Sequence, residues 1–109
     1  MMERAYDIFF ETIGNRNRML ILQFLDKNPM IVSEISKALK LDQTTVSHNL
    51  KRLNITGFVN FKKKGKNRIY YINSKIVRPL LNLAEDHMKC NCKKLCKCNK
   101  KELMEKLRR

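Results

Sequence analysis

Five apolar residues, Ile35, Leu39, Val46, Leu50 and Leu53, recur at helical spacing on either side of a break at Leu41-Asp42. That spacing calls for two helices that cross with these side chains between them. Asp42 suits the start of the second helix. Its carboxylate can accept from the free backbone N–H groups of the first turn and sits at the positive end of the helix dipole. Gly57 is a natural stop in the left-handed region. The second helix is therefore expected over about Gln43 to Ile55. For the first, Ser33 is the expected N-cap, with Ile35, Ala38 and Leu39 turned inward and Ser36 and Lys37 outward.

The flanking segments extend the pattern. Tyr6, Phe9, Phe10 and Ile13 repeat at helical spacing before Gly14-Asn15. A further helix is expected from Arg16 to Asp26, with Met19, Leu20, Phe24, Leu25 and, in part, Leu22 inward. Asn28-Pro29 ends it, because the residue before proline avoids the helical region. Met30-Ile31 can form a minimal strand. After Gly57 the period changes: Phe58, Val59 and Phe61, then Ile69-Tyr70-Tyr71-Ile72, read as a hairpin around a Gly-containing turn. Ile76, Val77, Leu80, Leu81, Ala84 and Met88 give a last apolar stripe. Pro79 is expected near the start of that helix, where its missing N–H is tolerated; a start at Ser74 would place it inside. The fold class is mainly α with a small β-hairpin, a winged helix-turn-helix. Residues 1–89 form the folded domain and residues 90–109 a Cys/Lys-rich tail.

Lys and Arg number 24 against 10 Asp and Glu, a formal net charge of +14. Such a surplus on 109 residues favours a polyanionic partner. Hydrophobic residues make up 43% of the chain, enough for a small core that a dimer would enlarge. No apolar run approaches the roughly 18 residues needed to span a membrane. The first residues lack the layout of a signal peptide, and a cytoplasmic protein with no membrane partner is expected.

The charge has a place to act. On the helix from Gln43, the residues Thr44, His48, Lys51 and Arg52 point away from Val46 and Leu50, with Thr45 and Ser47 beside them. Short polar side chains let a helix enter the major groove of double-stranded DNA, and the basic residues can reach phosphates or guanine edges. The hairpin tip carries Lys62, Lys63, Lys64, Lys66 and Arg68. These would repel one another without an anionic partner and would serve as a wing on the DNA backbone or in the minor groove.

The stretch from Gly14 to Asn73 resembles the arsenic-repressor (ArsR) family of winged-helix regulators. The resemblance is carried by Gly14-Asn15-Arg16-Asn17-Arg18, by Ile35-Ser36-Lys37-Ala38-Leu39, by Asp42 through Leu53, by Thr56-Gly57-Phe58-Val59, and by the Lys-rich tip with Arg68-Ile69-Tyr70-Tyr71-Ile72. Its most specific part is Thr45-Val46-Ser47-His48-Asn49-Leu50. It implies a homodimeric repressor, paired through its first and last helices, on an inverted-repeat operator. The apolar faces of residues 6–13 and 76–88 fit such a dimer.

All four cysteines, Cys90, Cys92, Cys96 and Cys98, fall within nine residues as Cys-x-Cys-x-x-x-Cys-x-Cys. Four thiolates can complete a tetrahedral set for zinc or another thiophilic metal, and an iron–sulfur cluster or redox pairing is the competing chemistry. Lys89, Lys93, Lys94 and Lys97 would lower the thiol pKa values. One helix cannot turn all four to a single ion, so a shared ion requires a loop. The metal would be structural or an effector of DNA binding. The family's sensing cysteines in the first helix of the motif have no counterpart in Ile31–Lys37. Asp86 and His87, on the last helix, are adjacent and point apart, a poor match to the family's other metal site. No Ser/His/Asp set, phosphate-cradling glycine loop or Cys-x-x-Cys turn suggests an enzyme. A DNA-binding regulator is the leading expectation, and an architectural DNA-binding protein with a structural thiolate zinc site is the alternative.

Overall fold

A computed structural model describes the backbone of residues 2–90 and the side chains of residues 4–89. The elements in order are α1 (Met2–Ile13), α2 (Arg16–Lys27), α3 (Val32–Leu39), α4 (Gln43–Ile55), β1 (Val59–Lys64), β2 (Asn67–Ile72) and α5 (Ser74–Cys90). The chain divides into two compact units between Arg78 and Pro79. Among the described residues no helix is long and apolar enough to cross a membrane.

The core of the first unit is built from the stripes the helices supply. Ile21, Leu22 and Leu25 of α2, Ile35 of α3 and Val46, Leu50 and Leu53 of α4 are buried, and Phe58, Val59, Tyr70 and Val77 close the core beside them. On α2 the inward side is centred on Ile21 and Leu22, both fully buried, while Met19, Leu20 and Phe24 are only half-buried. The turn into α2 is tight. The Gly14 N–H donates to the Phe10 carbonyl at 2.8 Å, and a Cβ at Gly14 would sit 2.8 Å from that same oxygen. Asn15 then caps α2 by accepting from the Arg18 N–H at 3.0 Å.

Three local expectations are corrected. The N-cap of α3 is Ile31, not Ser33: the Ile31 N–H donates to the Glu34 carboxylate at 3.0 Å, so a side chain inside the helix serves the turn from within. Ala38 is exposed, leaving Ile35 as the buried residue of α3, a helix too short to bury more than one stripe. Pro79 lies inside α5, which starts at Ser74. Its ring removes the N–H that would have bonded the Lys75 carbonyl, and the two compact units meet in sequence at this proline.

The segment after α4 is closed by a Schellman motif. Gly57 stands at φ +86°, the Phe58 N–H donates to the Leu53 carbonyl at 2.9 Å and the Gly57 N–H to that of Asn54 at 3.1 Å. The accompanying apolar pair is Phe58 and Leu53, both buried. β1 and β2 then pair antiparallel, from Val59↔Ile72 to Lys64↔Asn67 around the Gly65-Lys66 turn. The expected minimal strand is a single bridge: the Met30 N–H donates to the Tyr70 carbonyl at 3.0 Å and the Tyr70 N–H to that of Met30 at 2.8 Å.

Candidate nucleic-acid interface

The start of α4 is fixed by Asp42. One carboxylate oxygen accepts from the Thr45 N–H at 3.0 Å and the other from the Thr45 hydroxyl at 2.6 Å. The Thr45 hydroxyl, followed by the Thr45 N–H, holds the Asp42 carboxyl below its ordinary value of 3.8. Thr45 thereby commits its hydroxyl proton to the cap. Its carbonyl accepts from the Asn49 amide at 2.9 Å.

Asn49 is a buried polar residue within the apolar side of α4, 7% exposed. Its amide oxygen accepts from the Arg18 guanidinium at 3.3 Å. The same guanidinium donates to the last carbonyls of α1, through Nε to Thr12 at 2.7 Å and through Nη2 to Glu11 at 3.1 Å. One α2 side chain thus joins the C-terminal turn of α1 to the middle of α4. A guanidinium suits this task because its fork carries several donors in fixed directions.

This frame sorts the α4 residues expected at DNA. Gln43, Ser47 and Lys51 line a groove of about 710 Å³ between α4 and the hairpin. Thr44 and His48 are exposed on the crest of the helix. Thr45 is half-buried in the cap. Arg52 turns the other way: its Nη2 lies 3.4 Å from a Glu11 carboxylate oxygen on α1, and its Nε is buried with no hydrogen-bond partner among the described residues. Both partners of that pair are substantially solvated, so it marks an orientation more than a large stabilisation.

The wing is anchored at its base and charged at its tip. The Asn54 amide donates to the Val59 carbonyl at 3.0 Å, tying β1 to the last turn of α4, and the Asn73 amide donates to the Gly57 carbonyl at 3.2 Å. The register then splits the cations between two faces. Phe61 and Tyr70 share one face with the directly opposed pair Lys63 and Arg68. Lys62 and Lys64 occupy the other. Each face holds a cation over an aromatic ring: Arg68 is 4.5 Å from the Phe61 centroid and Lys62 is 5.7 Å from that of Tyr71. Lys66 and Arg68 reach the groove that Gln43, Ser47 and Lys51 line from the other side.

A polar helix face and a cationic hairpin that share one groove define a winged helix-turn-helix protein of the DNA-binding kind. The pattern described as "Bacterial regulatory protein, arsR family" matches residues 15–60. An HTH-type transcriptional regulator of Methanocaldococcus jannaschii is 35% identical over 85 residues, 77% of this chain and 94% of that one. A protein of Synechocystis named a transcriptional repressor SmtB homolog is 25% identical over 80 residues, 73% of this chain and 61% of that one. Among solved structures, a homodimeric winged helix-turn-helix DNA-binding domain from Mycobacterium bovis, described as a possible ArsR-family regulator, superposes with a TM-score of 0.73 at 25% identity, covering 81% of this chain and 82% of that one. The chain belongs to the ArsR family of winged helix-turn-helix transcriptional regulators.

Of the cysteines, Cys90 ends α5, its side chain undescribed, and Cys92, Cys96 and Cys98 lie outside the described residues. Among the described residues no three His, Cys, Asp or Glu side chains gather as a metal site. Sequence reasoning misses the polar frame of Arg18, Asn49 and Glu11, and it misses Asn54 as well. A polar residue amid the apolar stripe of α4 is the available signal for Asn49.

The cap has a pH signature. Because the folded-state value of Asp42 lies below 3.8, its contribution is complete above 3.8 and is lost as pH falls through the folded value. Asp42→Ala is expected to lower the thermal midpoint at neutral pH, with Asp42→Ser restoring only part of the difference because a hydroxyl accepts without carrying charge. The gap between wild type and Asp42→Ala should close in acid; a gap that persists there would show that the carboxylate charge is not what caps α4.

Proposed function

We propose that this chain is a homodimeric, sequence-specific DNA-binding repressor that acts on an inverted-repeat operator in the cytoplasm. The observation that carries the reading is the shared groove, with Gln43, Ser47 and Lys51 on one wall and Lys66 and Arg68 on the other. Gln43, Thr44, Ser47 and His48 occupy the N-terminal half of α4, the part of a recognition helix that meets base edges. Lys51 and the wing residues Lys62, Lys63, Lys64, Lys66 and Arg68 serve phosphates and the minor groove. Lys63 directly opposite Arg68 is a like-charge pair that costs stability without an anion between them. Thr45 acts through the cap, and Arg52, whose pair with Glu11 is solvated, can exchange that partner for a phosphate.

The dimer would form through α1 and α5. On α1, Tyr6 and Phe10 are 59% and 60% exposed, and Ala5, Tyr6, Phe9 and Phe10 line an apolar hollow of about 360 Å³. On α5, Leu83 and Met88 are exposed as well. Such faces are costly in water, and a second copy would cover them; the homodimeric state of the Mycobacterium bovis relative supports that reading. The four cysteines at residues 90, 92, 96 and 98 have the donor chemistry to hold zinc or another thiophilic metal, and occupancy of that tail is the proposed effector input.

Two experiments test this. The Lys62→Ala, Lys63→Ala, Lys64→Ala triple variant should bind duplex DNA more weakly, with a salt dependence shallower by about one unit for each phosphate no longer neutralised. Unchanged affinity would sink the wing assignment, and binding with no operator preference would favour an architectural role. For the tail, metal analysis of the full chain should find a thiophilic metal that changing all four cysteines to serine abolishes. DNA affinity that is the same with and without that metal would remove it as an effector.

A further inference from the structure

The helix that enters a major groove and the hairpin that reaches the neighbouring minor groove are separated on a DNA duplex by one sugar–phosphate backbone. In this protein the space between them is the groove of about 710 Å³. Its lining includes the cations Lys51, Lys66 and Arg68 and the apolar side chains of Ile31, Ile55 and Phe61. Ile55 is 71% exposed, more than any other large hydrophobic residue among the described ones. It follows Thr44, His48 and Lys51 at helical spacing, so it lies on the crest of α4 facing away from the core. A lone exposed isoleucine is ordinary. This one stands where the crest of α4 meets the groove, which an aromatic ring, a second isoleucine and three cationic side chains also line.

We propose that the groove is a subsite for a single DNA strand, in which Ile55 receives the apolar face of a deoxyribose while Lys51, Lys66 and Arg68, the last seated on the Phe61 ring, receive the flanking phosphates. The inference rests on the DNA-facing reading of α4 and the wing, and adds a sugar contact to it. Charge complementarity selects the occupant: the lining is part basic and part apolar, as the backbone strand is anionic at its phosphates and least polar at its sugars. A ribose 2′-hydroxyl pressed against Ile55 would lose its hydrogen bonds to water, so this contact also favours DNA over RNA.

The test uses the full chain and a short mixed-sequence DNA duplex, read by fluorescence anisotropy over a series of salt concentrations. Ile55→Ala and Ile55→Ser should each weaken binding about threefold to tenfold at every salt concentration. The salt slope should not change, because no charge is removed, whereas Lys51→Ala and Arg68→Ala should each lower it by about one unit. The thermal midpoint of both Ile55 variants should match wild type, since the side chain is exposed. Wild-type affinity in the Ile55 variants overturns the proposal. So does a loss that disappears when the duplex carries deoxyuridine in place of thymidine, which would place Ile55 on a thymine methyl instead of a sugar. If Lys51→Ala and Arg68→Ala also leave affinity and slope untouched, the DNA-facing reading falls together with the sugar contact.

Discussion

The guanidinium of Arg18 is the group on which the rest of the binding face depends. It donates to the Thr12 and Glu11 carbonyls at the end of α1 and to Asn49 within α4, three acceptors from two other helices. Apolar packing of Val46, Leu50 and Leu53 fixes how deeply α4 sits, but such packing is non-directional and tolerates rotation about the helix axis. Directional bonds to a buried amide remove that freedom. With Asn49 held on one side, the spacing of an α-helix puts Gln43, Ser47 and Lys51 toward the wing and Thr44, His48 and Ile55 on the crest.

The wing is set against the same helix by backbone chemistry. Asn54 in the last turn of α4 donates to Val59, and the Schellman closure at Gly57 aims the chain from Leu53 into β1. The bridge between Met30 and Tyr70 ties the second strand to the segment that enters α3. Both walls of the groove are therefore referred to one helix, and its cationic lining does not depend on flexible side chains alone. The stacking of Arg68 on Phe61 adds to this, since an ordered guanidinium gives up less freedom on meeting an anion.

What is legible in the sequence is whatever depends on near neighbours. Asp42 as a cap, Gly57 as a stop, the range of α4 and the hairpin around Gly65-Lys66 follow from the local backbone needs of each segment, and all stand in the structure. The departures have tertiary or competing causes. Ser33 has the chemistry of a cap, yet Glu34 reaches back to Ile31 and starts α3 earlier. Ala38 fits the apolar stripe, but no part of the core extends to it. Pro79 inside α5 is tolerated at the loss of one carbonyl's partner. Arg52 shares the outer arc with Lys51 by helical spacing, and its pairing with Glu11 of α1 is a contact that spacing along α4 does not reveal. Arg18 carries no local mark of its role, because its acceptors lie on two elements whose approach the sequence does not reveal.

If this guanidinium holds the recognition helix in place, removing it must loosen both the fold and the DNA-binding face. The most direct test is urea unfolding and DNA titration of Arg18→Ala beside Arg18→Lys. Losing hydrogen bonds from a charged donor to half-buried acceptors should lower the unfolding free energy by about 2–3 kcal/mol. Arg18→Lys should restore only part, because an ammonium cannot span the three acceptors. At a temperature where the variant remains folded, DNA affinity should fall while the salt slope stays at its wild-type value, since the Arg18 guanidinium is engaged within the protein. Wild-type stability together with wild-type affinity in Arg18→Ala would contradict the account.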